Sequence, residues 1–316
     1  MRAAAILGLG CSSKNLKPFQ IDSTIQWHLG VPASGDVDVI LLFGGDGTIH
    51  RHLSQLVKLN LPVLIVPSGS GNDFARALNL KNTKDSLAAW QTFCRAKNNV
   101  HIIDLGEITA LDNSMQNEND LFRNAETATR NYFSTVAGIG LDAEVAHSVG
   151  KLPRWLRGNG GYAISTLPKI FRFAPFSMKI VDADESVEND ANNAKWTTRS
   201  NRPTILAAFA NTSFYGGGMK IAPRAQIDDG KLDACVIGGV NPFKLFCMFP
   251  TVYSGRHLSV REVEYFQARR FRIQTERPLD IYADGEFVCK TPVEISALPK
   301  ALKVIAPRLI ENNLSG

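Results

Sequence analysis

The chain has 316 residues, 44% of them hydrophobic and 21% charged, which excludes compositional disorder and allows one large domain or two ordinary ones. The net charge of +5 suits anionic partners such as nucleotides or acidic lipid surfaces, but no Lys/Arg run is long enough to predict nucleic-acid binding. The five cysteines form no Cys-x-x-Cys pair, so we expect a reduced, cytoplasmic protein without a zinc site. No segment approaches ~18 uncharged apolar residues, so we expect no membrane span.

The first third of the chain alternates apolar runs with helical patterns. Residues 3–10, 37–44 and 61–69 read as buried strands, and residues 48–59, 72–80 and 83–97 read as helices. Strands this apolar, separated by helices, are typical of a parallel sheet with helices on both faces. We therefore predict an N-terminal, doubly wound α/β domain over residues 1–125.

The pattern changes after residue 111. Residues 112–130 are polar and aperiodic, which predicts a loop, and from Asn131 short β-branched and aromatic runs bounded by turns dominate. These runs predict a C-terminal, antiparallel, β-rich sandwich domain over residues 126–304. We expect helices near residues 161–173 and 241–255, a hairpin or loop over 183–202, and a return of residues 305–316 to the first domain. A cleft between two such domains is a common place for a small-molecule site.

Two glycine-rich loops each follow a buried strand and open a helix. They are "FGGDGT" (Phe43–Thr48) and "PSGSGNDFAR" (Pro67–Arg76), so both lie at the carboxyl edge of the predicted parallel sheet, where such folds bind ligands. We expect their glycines to adopt positive φ and to leave room for a phosphate at the helix N-termini. These glycines are Gly44, Gly45, Gly47, Gly69 and Gly71. Ser70 would add a hydroxyl donor, and Asn72 would cap the second helix.

An acidic residue sits in each loop, which is unexpected beside a phosphate. Asp46 and Asp73 would occupy neighbouring loop tips, and a Mg²⁺ ion between them and the phosphates would explain both. Asp104, at the end of the strand "IIDLG", is a third candidate for this network, although it could equally be a turn residue. A tight turn at Asp46 and a first-turn helix acid at Asp73 remain the alternatives, but the pairing of two such loops favours the ligand site.

The two loops together resemble the diacylglycerol kinase catalytic family, which includes bacterial soluble lipid kinases and sphingosine kinases. The segments "IDLGEI", "NYFSTVAGIGLDAEV" and "YADGEF" follow in the family's order. The resemblance implies an ATP- and Mg²⁺-dependent kinase that phosphorylates a primary hydroxyl of a lipid, such as diacylglycerol or a sphingoid base. It implies contact with a membrane surface, peripheral to its inner face, no nucleic-acid partner, and leaves a homodimer open.

The resemblance also assigns residues. Glu286 in "DGE" would be the general base, and Asp46, Asp73 and Asp104 would organise Mg²⁺. In "APRAQIDDGKLD" a second, structural metal would be held by the Asp229 side chain and the carbonyls of Gln226 and Lys231. The residues expected to contact ATP are Gly44, Gly45, Asp46, Gly47, Thr48, Ile49, His50, Arg51, Gly69, Ser70, Gly71 and Asn72.

Two other functions stay open. One is phosphorylation of a soluble acceptor, as in NAD kinases, which share the "GGDGT" loop but not "GNDFAR". The other is a nucleotide-binding regulator without catalysis, because His50 and Arg51 stand where many family members have Asn and Glu. The apolar segment 241–255 and the mixed basic and aromatic segment 150–173 could contact lipid or simply pack on the sheet.

Overall fold

The computed structural model describes residues 1–111, 130–151, 161–183 and 196–307. Within these ranges the helices are α1 (Ser13–Leu16), α2 (Asp46–Leu59), α3 (Asp73–Ala77), α4 (Thr83–Ala96), α5 (Leu141–Lys151), α6 (Gly161–Ile170) and α7 (Pro242–Met248). The strands are β1 (Arg2–Leu7), β2 (Gln26–Leu29), β3 (Val39–Gly44), β4 (Val63–Pro67), β5 (Val100–Ala110), β6 (Arg130–Phe133), β7 (Val136–Gly140), β8 (Phe176–Ala183), β9 (Thr197–Ala210), β10 (Leu232–Gly238), β11 (Val263–Ala268), β12 (Arg270–Thr275), β13 (Asp280–Ala283), β14 (Glu286–Lys290) and β15 (Val293–Ile305).

The N-terminal half is a parallel sheet in the order β2-β1-β3-β4. Every residue of β3 and β4 is buried, as expected for strands covered by helices on both faces. Helix α2 turns Ile49, Leu53 and Leu56 into this core, at the spacing of one helix face. The two glycine-rich loops consequently emerge side by side, where β3 and β4 end.

Two long strands, β5 and β15, join this half to the rest of the molecule. They pair antiparallel along most of their length, with a register shift between Leu298 and Leu302. Val304 of β15 also pairs in parallel with Val63 of β4, so the end of β15 extends the N-terminal sheet. Before the shift, β15 pairs with β12 instead. The two halves therefore share one continuous sheet.

The C-terminal half consists of antiparallel pairs, in the order β14-β13-β7-β9-β8-β12-β15, with β10 and β11 added at β9. Side chains on β9 alternate between two cores: Phe209 lies in the interior of the sandwich, whereas Leu206 and Ala208 pack under α5, α6 and α7. Burial on both faces explains the continuous apolar run at the end of β9. The prediction of an α/β domain followed by a β-rich domain is confirmed.

The segments predicted as connections lie mostly outside the described residues. The polar segment 183–202 belongs to a hairpin, one of the two forms predicted for it, because β8 ends at Ala183 and pairs antiparallel with β9 from Thr197, while 184–195 lie outside the described residues. The predicted loop at 112–130 and the proposed domain division at 125/126 also fall largely outside them. Of the end segment 305–316, only 305–307 are described. No helix in the described ranges is both long and apolar enough to cross a bilayer.

Candidate active site

A cleft of about 700 Å³ opens between the N-termini of α2 and α3 on one wall and the turn joining β13 to β14 on the other. Helix α5 and the loop after β9 complete it. Many of the residues predicted from the sequence meet here. They are Gly45, Asp46, Gly47, Thr48, Arg51, Gly69, Ser70, Gly71, Asp73 and Glu286.

The two glycine-rich loops touch each other through their backbones. A Cβ atom added to Gly69 would lie 2.4 Å from the Cα of Gly45, so neither position has space for a side chain. The expectation of positive φ is wrong for all five loop glycines, none of which lies in the left-handed region. These glycines are required by close approach rather than by backbone conformation.

Asp46 joins the two loops from the first turn of α2, not from a loop tip. Its carboxylate accepts hydrogen bonds from the backbone N–H groups of Asp73 (3.0 Å) and Phe74 (3.1 Å), at the start of α3. Burial raises the pKa of Asp46, and the negative charge of Asp73 raises it further. A carboxylate buried next to another carboxylate is costly to ionise, so the pair would be stabilised by a cation.

Asp73 is held by two other groups. It forms an ion pair with Arg76 one turn later on α3, and it accepts a hydrogen bond from the N–H of Gly217 at 2.7 Å. Burial raises its pKa, whereas these partners lower it. The loop containing Gly217 follows β9, so Asp73 also connects the N-terminal half to the C-terminal half.

Glu286 reaches the cleft from the opposite wall. Asp284 and Gly285 have φ of 51° and 84°, which defines a two-residue hairpin with both central residues left-handed. Glu286 follows this turn and is exposed. Its Oε1 atom lies 2.7 Å from the point that a Cβ on Gly47 would occupy. The carboxylate can therefore approach the first turn of α2 only because Gly47 has no side chain.

Asp284 fixes this hairpin turn. Its buried carboxylate accepts hydrogen bonds from the backbone N–H groups of Ser134 and Thr135, each at 2.8 Å, and from both hydroxyls. The Nδ1 atom of His50 on α2 lies 3.1 Å from Oδ2 of the same carboxylate. Burial would raise the pKa of Asp284, but the contact with His50 and the bonds from Thr135 and Ser134 outweigh it and lower that pKa.

A small apolar pocket of about 40 Å³ adjoins the cleft under α5, α6 and α7. Ile170, Leu245 and Met248 are among the side chains that line it. Asp142 and Tyr215 line both the pocket and the cleft, so they stand where the two meet. The pocket thus lies next to the polar site rather than at a distance from it.

Asp104 does not join Asp46 and Asp73. Its carboxylate accepts hydrogen bonds from the N–H groups of Gly230 (2.6 Å) and Lys300 (2.7 Å), and it does not line the cleft that Asp46 and Asp73 line. Burial raises its pKa, and the charge of Asp228 adds to the rise. The expectation of a single three-aspartate network is therefore replaced by two separate groups of acids.

The second group of acids surrounds the predicted metal loop. Asp229 accepts hydrogen bonds from the N–H of Lys231 (3.0 Å) and from the side chain of Gln267 (2.7 Å). Asp233 accepts one from the hydroxyl of Tyr265 at 2.6 Å, and burial raises its pKa to about 6. In the described part of the chain no three acidic, His or Cys side chains converge to hold a metal ion, so a cation bound by Gln226, Asp229 and Lys231 would depend on backbone carbonyls.

Four predicted nucleotide contacts face elsewhere. Ile49 is fully buried and its N–H donates to the carbonyl of Gly45. Gly44 is the buried last residue of β3 and does not line the cleft, and His50 faces Asp284. Asn72 is the N-cap of α3 by position, but its side chain pairs with the N–H and carbonyl of Gly69 instead of capping the helix.

Sequence reasoning missed several residues at the site. Asp284, Arg76 and Gly217 have no role in the predicted set, and His50 was assigned to the nucleotide. The signals were present: "DGE" is a two-residue hairpin pattern, Arg76 follows Asp73 at helical spacing, and "YGGG" is a run of glycines. The spacing of Arg76 does identify its partner, Asp73, but the partners of Asp284 and Gly217 lie more than 100 positions away, beyond the reach of any local pattern.

Comparisons with known proteins agree with this geometry. Residues 28–108 match the family model "Diacylglycerol kinase catalytic domain", and residues 135–306 match "YegS C-terminal NAD kinase beta sandwich-like domain". A "Diacylglycerol kinase" of Mycobacterium tuberculosis is 32% identical over 281 residues, covering 89% of this chain and 80% of that protein. The chain belongs to the diacylglycerol kinase family. It is therefore a kinase.

Two solved structures share the fold. A diacylglycerol kinase from Bacillus anthracis str. Sterne is 17% identical with a TM-score of 0.62, covering 98% of both chains. An NAD kinase from Archaeoglobus fulgidus in complex with ATP is 13% identical with a TM-score of 0.50, covering 99% of this chain and 95% of that one. Within this family of kinases the cleft between α2, α3 and the hairpin is the candidate active site.

Proposed function

We propose that this lipid kinase family member transfers the γ-phosphate of ATP to a primary hydroxyl of a lipid with the help of Mg²⁺. The observation that carries the proposal is the meeting of two walls in one cleft. One wall has two helix N-termini with Asp46 and Asp73, and the other presents Glu286 against Gly47. Phosphoryl transfer needs phosphate binding, charge neutralisation and a proton acceptor, and these walls offer all three.

ATP would lie across the two glycine-rich loops. Gly45, Gly69 and Gly71 keep the loop surface free of side chains, and the N-terminal end of α2 favours a negatively charged group. Arg51 lines the same cleft and adds a positive charge. The ATP in the structurally similar NAD kinase is consistent with nucleotide use by this fold.

Asp46 and Asp73 are the residues that would hold Mg²⁺. The raised pKa of both carboxyl groups means that a cation would be stabilising there, and one or two carboxylates with phosphate oxygens and water satisfy Mg²⁺. Bound Mg²⁺ would neutralise charge on the phosphates. The Gln226, Asp229 and Lys231 loop would hold a second, structural cation, next to the buried Asp104 carboxylate.

Glu286 would accept the proton of the attacking hydroxyl. The hydroxyl oxygen forms a bond to the γ-phosphorus, the bond from that phosphorus to the β–γ bridging oxygen breaks, and ADP leaves. The proton passes to the carboxylate of Glu286, which is exposed and close to the α2 N-terminus. The position of Glu286 on a turn fixed by Asp284 suits a base that must act in one geometry.

A lipid acceptor is favoured over a soluble one by the surroundings of the cleft. The apolar pocket meets the polar cleft at Asp142 and Tyr215. Helix α7 is apolar on both faces, since Leu245 lines the pocket while Phe243 and Phe246 are 71% and 41% exposed. Phe171, after α6, packs on Phe246 with ring centroids 5.9 Å apart. Exposed aromatic rings over an apolar pocket suit a membrane surface.

The proposal is tested by phosphate transfer from labelled ATP, with Mg²⁺, to diacylglycerol, a sphingoid base and other long-chain alcohols in mixed micelles. A labelled lipid product would support a lipid kinase and name its acceptor. Labelling of NAD without lipid would establish the soluble-acceptor alternative instead. ATP binding with no turnover on any acceptor would establish a nucleotide-binding regulator.

The membrane contact has its own test, binding to vesicles of anionic phospholipid. The double variant Phe243→Ser/Phe246→Ser should bind several-fold more weakly than wild type because it removes exposed apolar area from one face. Leu29→Ser is the matched control, since Leu29 is 60% exposed on the edge strand β2 in the N-terminal half. Equal weakening in both variants would contradict a specific docking face.

A further inference from the structure

The contact between His50 and Asp284 bridges the two walls of the cleft. His50 lies in the second turn of α2, the helix that opens at the first glycine-rich loop, while Asp284 forms the hairpin turn before Glu286. The His50 side chain is 15% exposed and the Asp284 side chain is fully buried. This is a side-chain contact between residues 234 positions apart in the chain.

The same face of α2 contacts the hairpin twice. Gly47 and His50 are three residues apart, so they lie on one side of the helix. Gly47 faces the carboxylate of Glu286, and His50 faces the carboxylate of Asp284. The hairpin turn therefore packs on the first two turns of α2. Glu286, the proposed base, lies over Gly47, and Asp284 lies over His50.

Asp284 is also held by hydrogen bonds on the side that faces away from α2. The turn between β6 and β7 donates to it from Ser134 and Thr135, and the N–H of Asp284 donates to the carbonyl of Val136 at 3.1 Å. All of these bonds lie within the C-terminal half. Among the described residues that hydrogen-bond to Asp284, His50 is the one that lies on α2, so it ties the turn to the helix that follows the first glycine-rich loop.

We infer that His50 is a positioning residue. By holding Asp284 against α2, it sets the distance between Glu286 and the two glycine-rich loops. This inference rests on the proposed function, because it assigns His50 to the reaction that Glu286 would assist. His50 itself does not touch the reacting atoms. A displacement of about 1 Å in such a group can cost about 100-fold in rate, so a single anchoring contact can matter to turnover.

The charges around His50 are consistent with this role. Burial would lower the pKa of His50, but the hydrogen bond and charge of Asp284 and the charge of Glu286 outweigh it and raise that pKa, while Arg51 opposes the rise. Because the pKa of His50 is raised in the folded protein, its contact with Asp284 is at full strength below the ordinary pKa of histidine. The contact weakens as pH rises through the raised pKa. Ser134 and Thr135, on the opposite side of Asp284, carry no charge.

The test compares His50→Leu, which removes the donor, with His50→Asn, whose amide nitrogen takes the place of Nδ1. His52→Leu is the matched control, because His52 lies on the same helix and contacts Gln55 instead. We expect His50→Leu to lower kcat at least about tenfold with KM for ATP within about twofold of wild type. His50→Asn should recover most of kcat, and His52→Leu should behave as wild type.

Two measurements on the full chain need no acceptor. Hydrogen exchange in residues 280–290 should be at least about threefold faster in His50→Leu than in wild type, and close to wild type in His50→Asn. The His50 ring, followed by NMR, should titrate above its ordinary value of about 6.5. These results support the pairing even if no lipid is phosphorylated, an outcome that would refute the proposed function alone.

The inference is overturned by any of three results. The first is a kcat of His50→Leu within about twofold of wild type. The second is a His50→Asn variant as impaired as His50→Leu, which would mean that the donor is irrelevant. The third is unchanged exchange in residues 280–290 together with a His50 titration at or below the ordinary value.

Discussion

Two groups of buried or partly buried aspartates in this kinase have the same chemistry but different surroundings. Asp46 and Asp73 line the cleft, whereas Asp104, Asp229 and Asp233 lie around the loop that precedes β10. Burial raises the pKa of every one of these carboxyl groups. A raised pKa alone therefore does not distinguish an active site from an internal polar cluster.

The difference lies in what each group holds together. Asp46 and Asp73 connect the two glycine-rich loops to each other and to Gly217 at the mouth of an open cleft. Asp104 connects the loop at Gly230 to the irregular part of β15 at Lys300, inside the joint between the two halves. We expect changes in the first group to affect turnover, and changes in the second to affect stability.

The largest effect is expected from Asp46→Asn. Removing this charge should lower kcat by roughly 100- to 1,000-fold, because it would weaken charge neutralisation at the phosphates. The amide would turn a donor toward one N–H at the start of α3, but it would also remove the repulsion between Asp46 and Asp73, so the free energy of unfolding should change by only about 1 kcal/mol. Kinetics and urea denaturation measure the two effects, with Asp36→Asn, an exposed acid, as control. If the loss of activity were explained by a loss of folded protein, the distinction between the two groups of aspartates would fail.

Gly69→Ala tests whether the cleft pair depends on the contact between the loops. The added Cβ would meet the Cα of Gly45 at 2.4 Å, and backbone cannot move aside as a flexible side chain can. We expect a loss of at least about tenfold in kcat/KM for ATP and of about 1–3 kcal/mol in unfolding free energy. Gly150→Ala is the control for stability, because a Cβ there meets nothing within 4 Å. Unchanged ATP kinetics in Gly69→Ala would mean that the loops do not need their close approach.

Asp104→Asn is expected to lower stability rather than activity, the reverse of what we expect for Asp46→Asn. The amide keeps one acceptor but turns a donor toward a backbone N–H, so the free energy of unfolding should fall by about 1–3 kcal/mol. At a temperature where the variant is folded, kcat should stay within about threefold of wild type. A large loss of kcat in a fully folded Asp104→Asn protein would place Asp104 with the cleft acids after all.

The smallest effect is a pH dependence carried by Asp233. Its folded pKa of about 6 lies above the value of a free carboxyl group, so its contribution to stability is full at low pH and is lost as pH rises through about 6. Between about pH 5 and pH 7 the wild type should lose about 1 kcal/mol more unfolding free energy than Asp233→Asn. Urea titrations at the two pH values measure this difference, and parallel pH profiles would contradict it.

The sequence predicts the parts of the fold that depend on local pattern. The apolar runs that became β3 and β4, the helices that follow them and both glycine-rich loops are readable because burial on both faces leaves a continuous signal. Strand β2, with residues Gln26–Leu29, was not predicted, since a short and mostly exposed edge strand has no such pattern.

Within the site, the sequence identifies chemical groups better than their partners. Asp46, Asp73 and Glu286 lie at the cleft as expected, whereas Asp104 belongs to another cluster and His50 contacts Asp284. Pairings such as Asp104 with Lys300 depend on how β5 and β15 are aligned, which no local pattern encodes. The loop glycines show the same limit, because the need for space at Gly45 exists only once Gly69 is opposite.

The most direct test of the account is a single-turnover measurement on Glu286→Gln, combined with the affinity for ATP in the presence of Mg²⁺. The carboxamide keeps the shape of the side chain but accepts a proton poorly. The account predicts ATP affinity within about twofold of wild type and phosphate transfer to lipid slowed by roughly 100- to 10,000-fold. Transfer at the wild-type rate by Glu286→Gln would contradict the claim that the two walls of the cleft form one active site with Glu286 as its base.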